Sequence, residues 1–179
     1  DLRAILKERF AGMEVSICAN LPYYITSPVI MRLLEERLPF RSITVMVQKE
    51  AAERLCAPVG SPEAGAVTVA VQYYAQAEKL FSVSRGSFLP APNVDSAVIR
   101  LQIRQAPAVA LTDEKKFFRM VKAAFGQRRK TALNAISAGM ALPKGDVAAA
   151  LEAAGLEGNV RAEKLSMEEL AALCEALPG

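Results

Sequence analysis

One short run does most to limit what this chain can fold into. "SITVMVQ", residues 42–48, is almost wholly apolar and rich in β-branched side chains. A strand with one wet face alternates apolar and polar residues. Taken as a nearly unbroken apolar and β-branched run, this one instead predicts a strand buried on both faces within a parallel sheet. The segments around it agree. "MEVSICA" (13–19) is a second β-prone run, and Ser27-Pro28 predicts a helix start, with serine as N-cap and proline at the first helical position. That helix runs to about Arg37, and Leu38-Pro39 ends it. "KEAAERLCA" reads as helix and "PVGSPEAG" (58–65) as loop.

Further along, "AVTVAVQYYA" fits helix or strand by periodicity, and its place between two connections favours helix. "EKLFSVS" and "SAVIRLQIR" alternate as half-buried strands do. "SFLPAPNVD" between them is irregular, because Pro90 and Pro92 interrupt either kind of hydrogen-bond ladder. After "QAPAVALTD" the composition changes, and from about Thr112 the chain is alanine-rich and strand-poor. Phe117, Val121 and Phe125 fall on one helical stripe, and "RRKTALNAI" continues as helix after a break at Gly126. Asp146 is placed to cap "VAAALEAA", with Gly155 just past its end. Ser166 and Glu169 form a capping box that leads into Leu170, Leu173 and Leu177. The expectation is an α/β segment over 1–108 followed by a small all-α domain over 109–179.

The composition excludes several classes of chemistry. The 179 residues suffice for one sizeable core, or a core and a small appended unit. No apolar run approaches the ~20 residues of a membrane-spanning helix. The charged opening "DLRAILKERF" predicts no signal peptide, and it reads like the middle of an alternating strand–helix domain. Cys18, Cys56 and Cys174 are odd in number and lack metal-type spacing, which fits free thiols in a reducing compartment. There is no histidine, so Ser-His and Cys-His nucleophiles and the usual zinc sites are excluded, and no metal is expected. The net charge of +3 is too small to identify a polyanionic partner; clustering matters more.

Chemistry concentrates in "ANLPYYITSP" (19–28), where an apolar strand stops. Ligands of open α/β sheets sit outside the carboxyl ends of strands. Pro22 stiffens the turn and has no N–H, which leaves the Asn20 amide and nearby carbonyls as acceptors beside the flat face of Tyr23. That set suits a nucleobase with an exocyclic amine, read at its edge and stacked on the ring. The amine of adenine is a poor nucleophile because its lone pair is delocalised. Two acceptors on its N–H groups favour a pyramidal nitrogen, preorganised for attack. With a sulfonium methyl as electrophile the protein mainly positions, and no general base is required. Taken alone, Asn-x-Pro-Tyr is more often a rigid turn, and Tyr24 reads as a packing residue.

Two further features bear on this site. Phe88 sits on the proline-stiffened loop of "SFLPAPNVDSAVI", where it either plugs the core or closes the other face of the same base. "EKKFFRMVKAAFGQRRK" carries seven cations against one acid, and the next helix is expected to begin with Arg-Arg-Lys. A bare charge run is most often a solvated face, whereas arginines at a helix start suit phosphate.

Four blocks, "NLPYYITSP", "VQKEAAERL", "SFLPAPNVDSAVIRL" and "AFGQRRKTALNAI", resemble in order those of the small-subunit ribosomal RNA adenine dimethyltransferases, the kasugamycin-sensitivity methyltransferases of bacteria. "LEGNVRAEKLSMEELAALCEAL" is similar to that family's C-terminus, so the resemblance covers essentially the whole chain. It implies the C-terminal part of a Rossmann-like methyltransferase sheet followed by a helical domain. The implied reaction transfers methyl groups from S-adenosylmethionine to N6 of two adjacent adenines near the 3′ end of 16S RNA in the 30S subunit, carried out by a cytoplasmic monomer.

The resemblance also assigns residues. Asn20 matches the asparagine beside methyl donor and target amine, Leu21 would offer its carbonyl, Pro22 would stiffen the turn, and Tyr23 and Phe88 would sandwich the base. Arg128, Arg129 and Lys130 would contact phosphate, positioning RNA rather than reading it. Lys49 and Glu50 match the family as well, with a surface ion pair as their default reading. The family's glycine-rich loop and the acidic residues that hold the cofactor's ribose and adenine are not found in these residues. The chain thus looks like a member without its upstream cofactor half, expected to be inactive or impaired by itself. Alternatives are a non-catalytic ribosome-assembly factor and a macrolide-resistance methyltransferase of 23S RNA. Against the latter stand Leu21, where those enzymes usually carry isoleucine, Pro28 and "GQRRKTAL".

Overall fold

The structure is a computed structural model that describes residues 2–178. Its chain divides into two compact units, one formed by residues up to Cys56 together with Tyr74–Ala106, the other by Ala57–Tyr73 and the residues from Pro107 on.

The first unit is built on four strands, β1 (Val15–Asn20), β2 (Phe40–Gln48), β3 (Ala75–Val83) and β4 (Ser96–Ile103), in the order β1-β2-β4-β3. β1 and β2 are parallel, whereas β4 runs antiparallel to both β2 and β3. The sheet is therefore mixed rather than parallel throughout. One face of "SITVMVQ" is buried as expected, with Ile43, Val45 and Val47 almost inaccessible, whereas Thr44, Met46 and Gln48 on the other face are only half-buried, so the strand is not sealed on both sides. Burial fixes the cover of a strand and not the direction of its neighbour. A loop without a crossover helix joins β3 to β4, and such a connection returns the chain antiparallel.

Three helices belong to this unit: α1 (Leu2–Arg9), α2 (Thr26–Glu35) and α3 (Lys49–Cys56). Leu6 of α1 packs with Leu38 and Phe40, and α3 lies against β2, β3 and β4, where its Ala52 and Leu55 are buried. α2 begins at Thr26, one residue before the predicted Ser27 cap. A 3-10 turn over Tyr23–Ile25 runs directly into it, and no side chain caps its N-terminus. The Thr26 hydroxyl donates to the Pro22 carbonyl at 3.0 Å instead, tying the helix start to the preceding turn.

The second unit is helical: α4 (Ala66–Tyr74), α5 (Glu114–Gly126), α6 (Ala132–Met140), α7 (Lys144–Ala153) and α8 (Met167–Ala176). "AVTVAVQYYA" is thus a helix. α5 is capped by Asp113, which accepts from the Lys116 N–H at 2.9 Å. It buries Phe117, Met120, Val121 and Ala124, with the Tyr73 ring edge-on to Phe118 at 5.3 Å between centroids. The predicted box at α8 is present, Ser166 accepting from the Glu169 N–H and Glu169 from the Ser166 N–H.

Two helix starts differ from expectation. Asp146 lies in the first turn of α7, which follows Pro143 without a side-chain cap; Gly155 does stand just past its end, at φ +70. Gly126 closes α5, and α6 starts only after Thr131, whose side chain accepts from the Asn134 N–H. Threonine can accept a helix-start N–H and arginine cannot, so the cap wins and Arg128–Lys130 stay in the connecting turn.

α5 and α6 approach closely at Gly139. A Cβ there would lie 2.5 Å from the Ala123 Cβ and 2.9 Å from its Cα. Gly139→Ala is therefore expected to force the two helices apart at a cost of about 1–3 kcal/mol. Urea unfolding should show a lower midpoint with unchanged slope; an unshifted midpoint would mean that the contact is looser than described.

The cysteines are free, and burial pushes the Cys174 thiol up to about 11. Among the described residues no helix is long and apolar enough to cross a membrane. Nor do they contain a cluster of three or more His, Cys, Asp or Glu side chains able to hold a metal ion.

Candidate functional site

β1 lies at an edge of the sheet, and its side chains alternate between half-buried and exposed, with Asn20 the last of the exposed ones. Asn20 pairs in register with Met46 of β2. The strand stops there because Leu21-Pro22 follows, and Pro22 cannot donate to a ladder. The chain turns through the 3-10 segment Tyr23–Ile25 into α2, which leaves Asn20 at the carboxyl end of a parallel strand pair. This is where open α/β sheets bind their ligands.

Asn20, Leu21, Pro22, Tyr23, Met46 and Phe88 line a cleft of about 330 Å³ at this point. The sequence reading placed five of these residues in one site from two separate segments, and all five border this cleft. Met46 contributes the wall supplied by β2. Of the turn carbonyls, that of Pro22 accepts the Thr26 hydroxyl and the Ile25 N–H. Among the described residues no turn hydrogen bond ends on the Leu21 carbonyl. Asn20 is exposed, and none of the hydrogen bonds of the described side chains engages its carboxamide.

The two tyrosines part company. Tyr24 is 84% exposed, which corrects its reading as a packing residue. Tyr23 is half-buried, and its hydroxyl lies 2.6 Å from the Oγ of Ser96, a serine with no exposed surface at the start of β4. Ser96 pairs with Gln48, so Tyr23 reaches past β2 to the next strand. One tyrosine is thereby pinned in orientation at a cleft wall. Sequence reasoning missed Ser96 and Met46. "VDSAVIRL" announced the strand, but nothing in it reveals a partner 73 residues away.

Because Ser96→Ala and Tyr23→Phe each remove the same hydrogen bond, each is expected to lose about 1 kcal/mol of stability. The double variant should lose little more than either alone. Additive losses in urea unfolding would show that the two hydroxyls act separately.

The loop from Ser84 to Asp95 that presents Phe88 is held at both ends. Asp95 accepts the Arg85 N–H at 3.0 Å through its carboxylate and the Lys49 N–H at 3.0 Å through its carbonyl. Phe88 is half-buried at the cleft rather than sealed in the core. Glu50 pairs with Arg54 one helical turn on, so the surface ion pair expected near Lys49 and Glu50 exists without Lys49.

In the helical unit, Arg128, Arg129 and Lys130 are exposed in the turn before α6. Arg128 donates to the Pro62 carbonyl at 3.0 Å, so part of its guanidinium holds the loop of residues 58–65. Among the described residues Arg129 and Lys130 form no ion pair. These two cations sit just before α6, whose Ala132 N–H is held by the Val160 carbonyl at 2.7 Å and whose Asn134 N–H is held by Thr131, so any attraction for phosphate here comes from the side chains.

Comparison with known proteins covers nearly the whole chain. The family model described as ribosomal RNA adenine dimethylase matches residues 5–178. The ribosomal RNA small subunit methyltransferase A of Geobacillus thermodenitrificans is 50% identical, the match covering 99% of this chain and 62% of that protein. Its namesake from Bacillus licheniformis is 47% identical with the same coverage. The chain thus spans about three fifths of the length of these curated relatives. A solved dimethyladenosine transferase from Plasmodium falciparum superposes with a TM-score of 0.70 at 24% identity, over 94% of this chain and 68% of that one. The 23S rRNA methyltransferase ErmE gives 0.65 at 26%, over 94% and 69%. The fold is that of these Rossmann-like methyltransferases, as the sequence reading expected.

Proposed function

The chain belongs to the ribosomal RNA adenine dimethylase family, and on that premise we propose that its cleft at the end of β1 receives a flipped-out adenine whose N6 is methylated. The donor is S-adenosylmethionine, and the targets are two adjacent adenines near the 3′ end of 16S RNA in the 30S subunit. The protein works as a cytoplasmic monomer, with residues 1–108 handling the base and 109–179 contacting RNA.

The observation that carries this reading is the composition of the cleft. Asn20, Leu21, Pro22, Tyr23 and Phe88 meet there from two distant segments. The Asn20 carboxamide oxygen and the Leu21 carbonyl accept the two N6 hydrogens, favouring a pyramidal amine with its lone pair directed outward. Tyr23, braced by Ser96, stacks on one face of the ring and Phe88 on the other; such stacking is worth about 1–3 kcal/mol. Pro22 keeps the turn from collapsing into the space that the base needs. When bound, S-adenosylmethionine supplies an electrophilic methyl on a sulfonium, so a positioned neutral amine suffices without a histidine base.

The residues present fit the methyl-bearing end of that cofactor: an exposed carboxamide stands at a strand terminus beside an open cleft. The glycine-rich loop and acidic residues that the family resemblance implies for the rest of the cofactor are not found among these 179 residues. The 179 residues alone should therefore turn over weakly or not at all.

The test supplies the complete protein with labelled S-adenosylmethionine and 30S subunits from cells lacking the modification. Label in adjacent small-subunit adenines is the expected result. Label only in 23S RNA would transfer the protein to the macrolide-resistance class, and binding without label would make it an assembly factor.

A further inference from the structure

A second cleft, of about 490 Å³, is bordered by both ends of the loop that carries Phe88. Gln48, Lys49, Glu53, Arg85, Asn93 and Asp95 are among its lining residues. We propose that it binds the nucleotide next to the methylated adenine on the same RNA strand. This rests on the adenine-binding reading of the first cleft and adds a second subsite to it.

Three observations carry the proposal. The first is spacing. Met46 borders the first cleft and Gln48 the second, two residues along β2. Side chains two apart on a strand leave the same face of the sheet, about 7 Å from one another. The two clefts thus adjoin along β2, and the loop of residues 84–95 lends residues to both. Neighbouring nucleotides of an unstacked strand could occupy both.

The second observation is preformation. The rim is tied by the Lys49 N–H to the Asp95 carbonyl, by the Arg85 N–H to the Asp95 carboxylate, and by the Arg85 guanidinium to the Asn93 carbonyl at 3.4 Å. A cavity held in this way needs little ordering on binding.

The third is chemistry. Among the described residues Lys49 and Glu53 form no ion pair, although both are exposed and border the cleft. A lysine beside Arg85 suits a phosphate, whereas a carboxylate beside two carboxamides suits the edge of a base with an exocyclic amine. Val94, 43% exposed, adds an apolar patch for a ring. A site for phosphate alone would not carry the acids Glu50, Glu53 and Asp95 in its wall. One built for a whole nucleotide has use for both signs.

The test measures binding of the 179-residue chain to an RNA hairpin with two adjacent loop adenines. Matched hairpins replace one adenine or the other by an abasic nucleotide. The unaltered chain is expected to lose about five- to tenfold in affinity for either abasic hairpin, the loss of one stacked and hydrogen-bonded base. The Lys49→Ala/Glu53→Gln variant should bind the intact hairpin more weakly by a similar factor and become indifferent to one of the two abasic replacements. Asn20→Ala/Tyr23→Ala should become indifferent to the other. If the first variant still discriminates at both positions, the second subsite is refuted while the first stands. If the Asn20/Tyr23 variant discriminates at both, the adenine-binding reading itself falls.

Discussion

Asn20→Ala should lower methyl transfer by the complete protein about 10²–10³-fold or more, the usual scale for losing one preorganised polar partner of a reacting centre. RNA affinity should change by less than about twofold, since one exposed carboxamide contributes little beside stacking and phosphate contacts. The fold should not suffer: the side chain is exposed and braces no other residue. The pair of readouts separates a group that orients the reacting amine from one that merely helps hold RNA. Asn20→Asp sharpens the test. It keeps an acceptor oxygen and loses the donor, so it should retain more turnover than Asn20→Ala. Equal loss in both variants would contradict the acceptor role.

The second large effect is expected in the helical unit. Arg129→Glu with Lys130→Glu should weaken RNA binding about tenfold or more near 0.1 M salt and flatten the dependence of log K on log salt by about 1.5–2. Arg129 and Lys130 are the better probes than Arg128. The Arg128 guanidinium also donates to Pro62, so its replacement disturbs the loop of residues 58–65 as well. The loss should be the same for matched RNAs of different sequence, because phosphate contacts position and do not read. Unchanged affinity and slope would return this turn to an ordinary solvated surface.

Much of this was legible in the sequence, and the failures have local causes. "SITVMVQ" announced a strand because β-branched apolar residues favour one, but the half-burial of Thr44, Met46 and Gln48 and the antiparallel direction of β4 depend on what the fold lays beside it. The capping box at Ser166 was readable because both partners lie within four residues. The start of α2 was not, since the turn over Tyr23–Ile25 and the bond from Thr26 to Pro22 overrode the Ser-Pro signal. Asn20 and Tyr23 stood out because a strand end, a proline and an aromatic coincide. Ser96 did not, because its role exists only once β4 is laid beside β2. Tyr24 was misjudged because successive side chains of the 3-10 turn over Tyr23–Ile25 point in different directions, and only the packing decides which tyrosine is pinned. The second cleft was invisible for the same reason. Lys49 and Glu53 look like plain helix surface until the loop carrying Arg85 is seen to border the same cleft.

The central claim is that an adenine ring lies between Tyr23 and Phe88 with its amine at Asn20. Intermolecular nuclear Overhauser effects between the chain and a bound adenine-containing RNA test it most directly. Cross-peaks from adenine H2 or H8 to the ring protons of both Tyr23 and Phe88 are the predicted result. A bound adenine that shows contacts only to residues away from this cleft would contradict it.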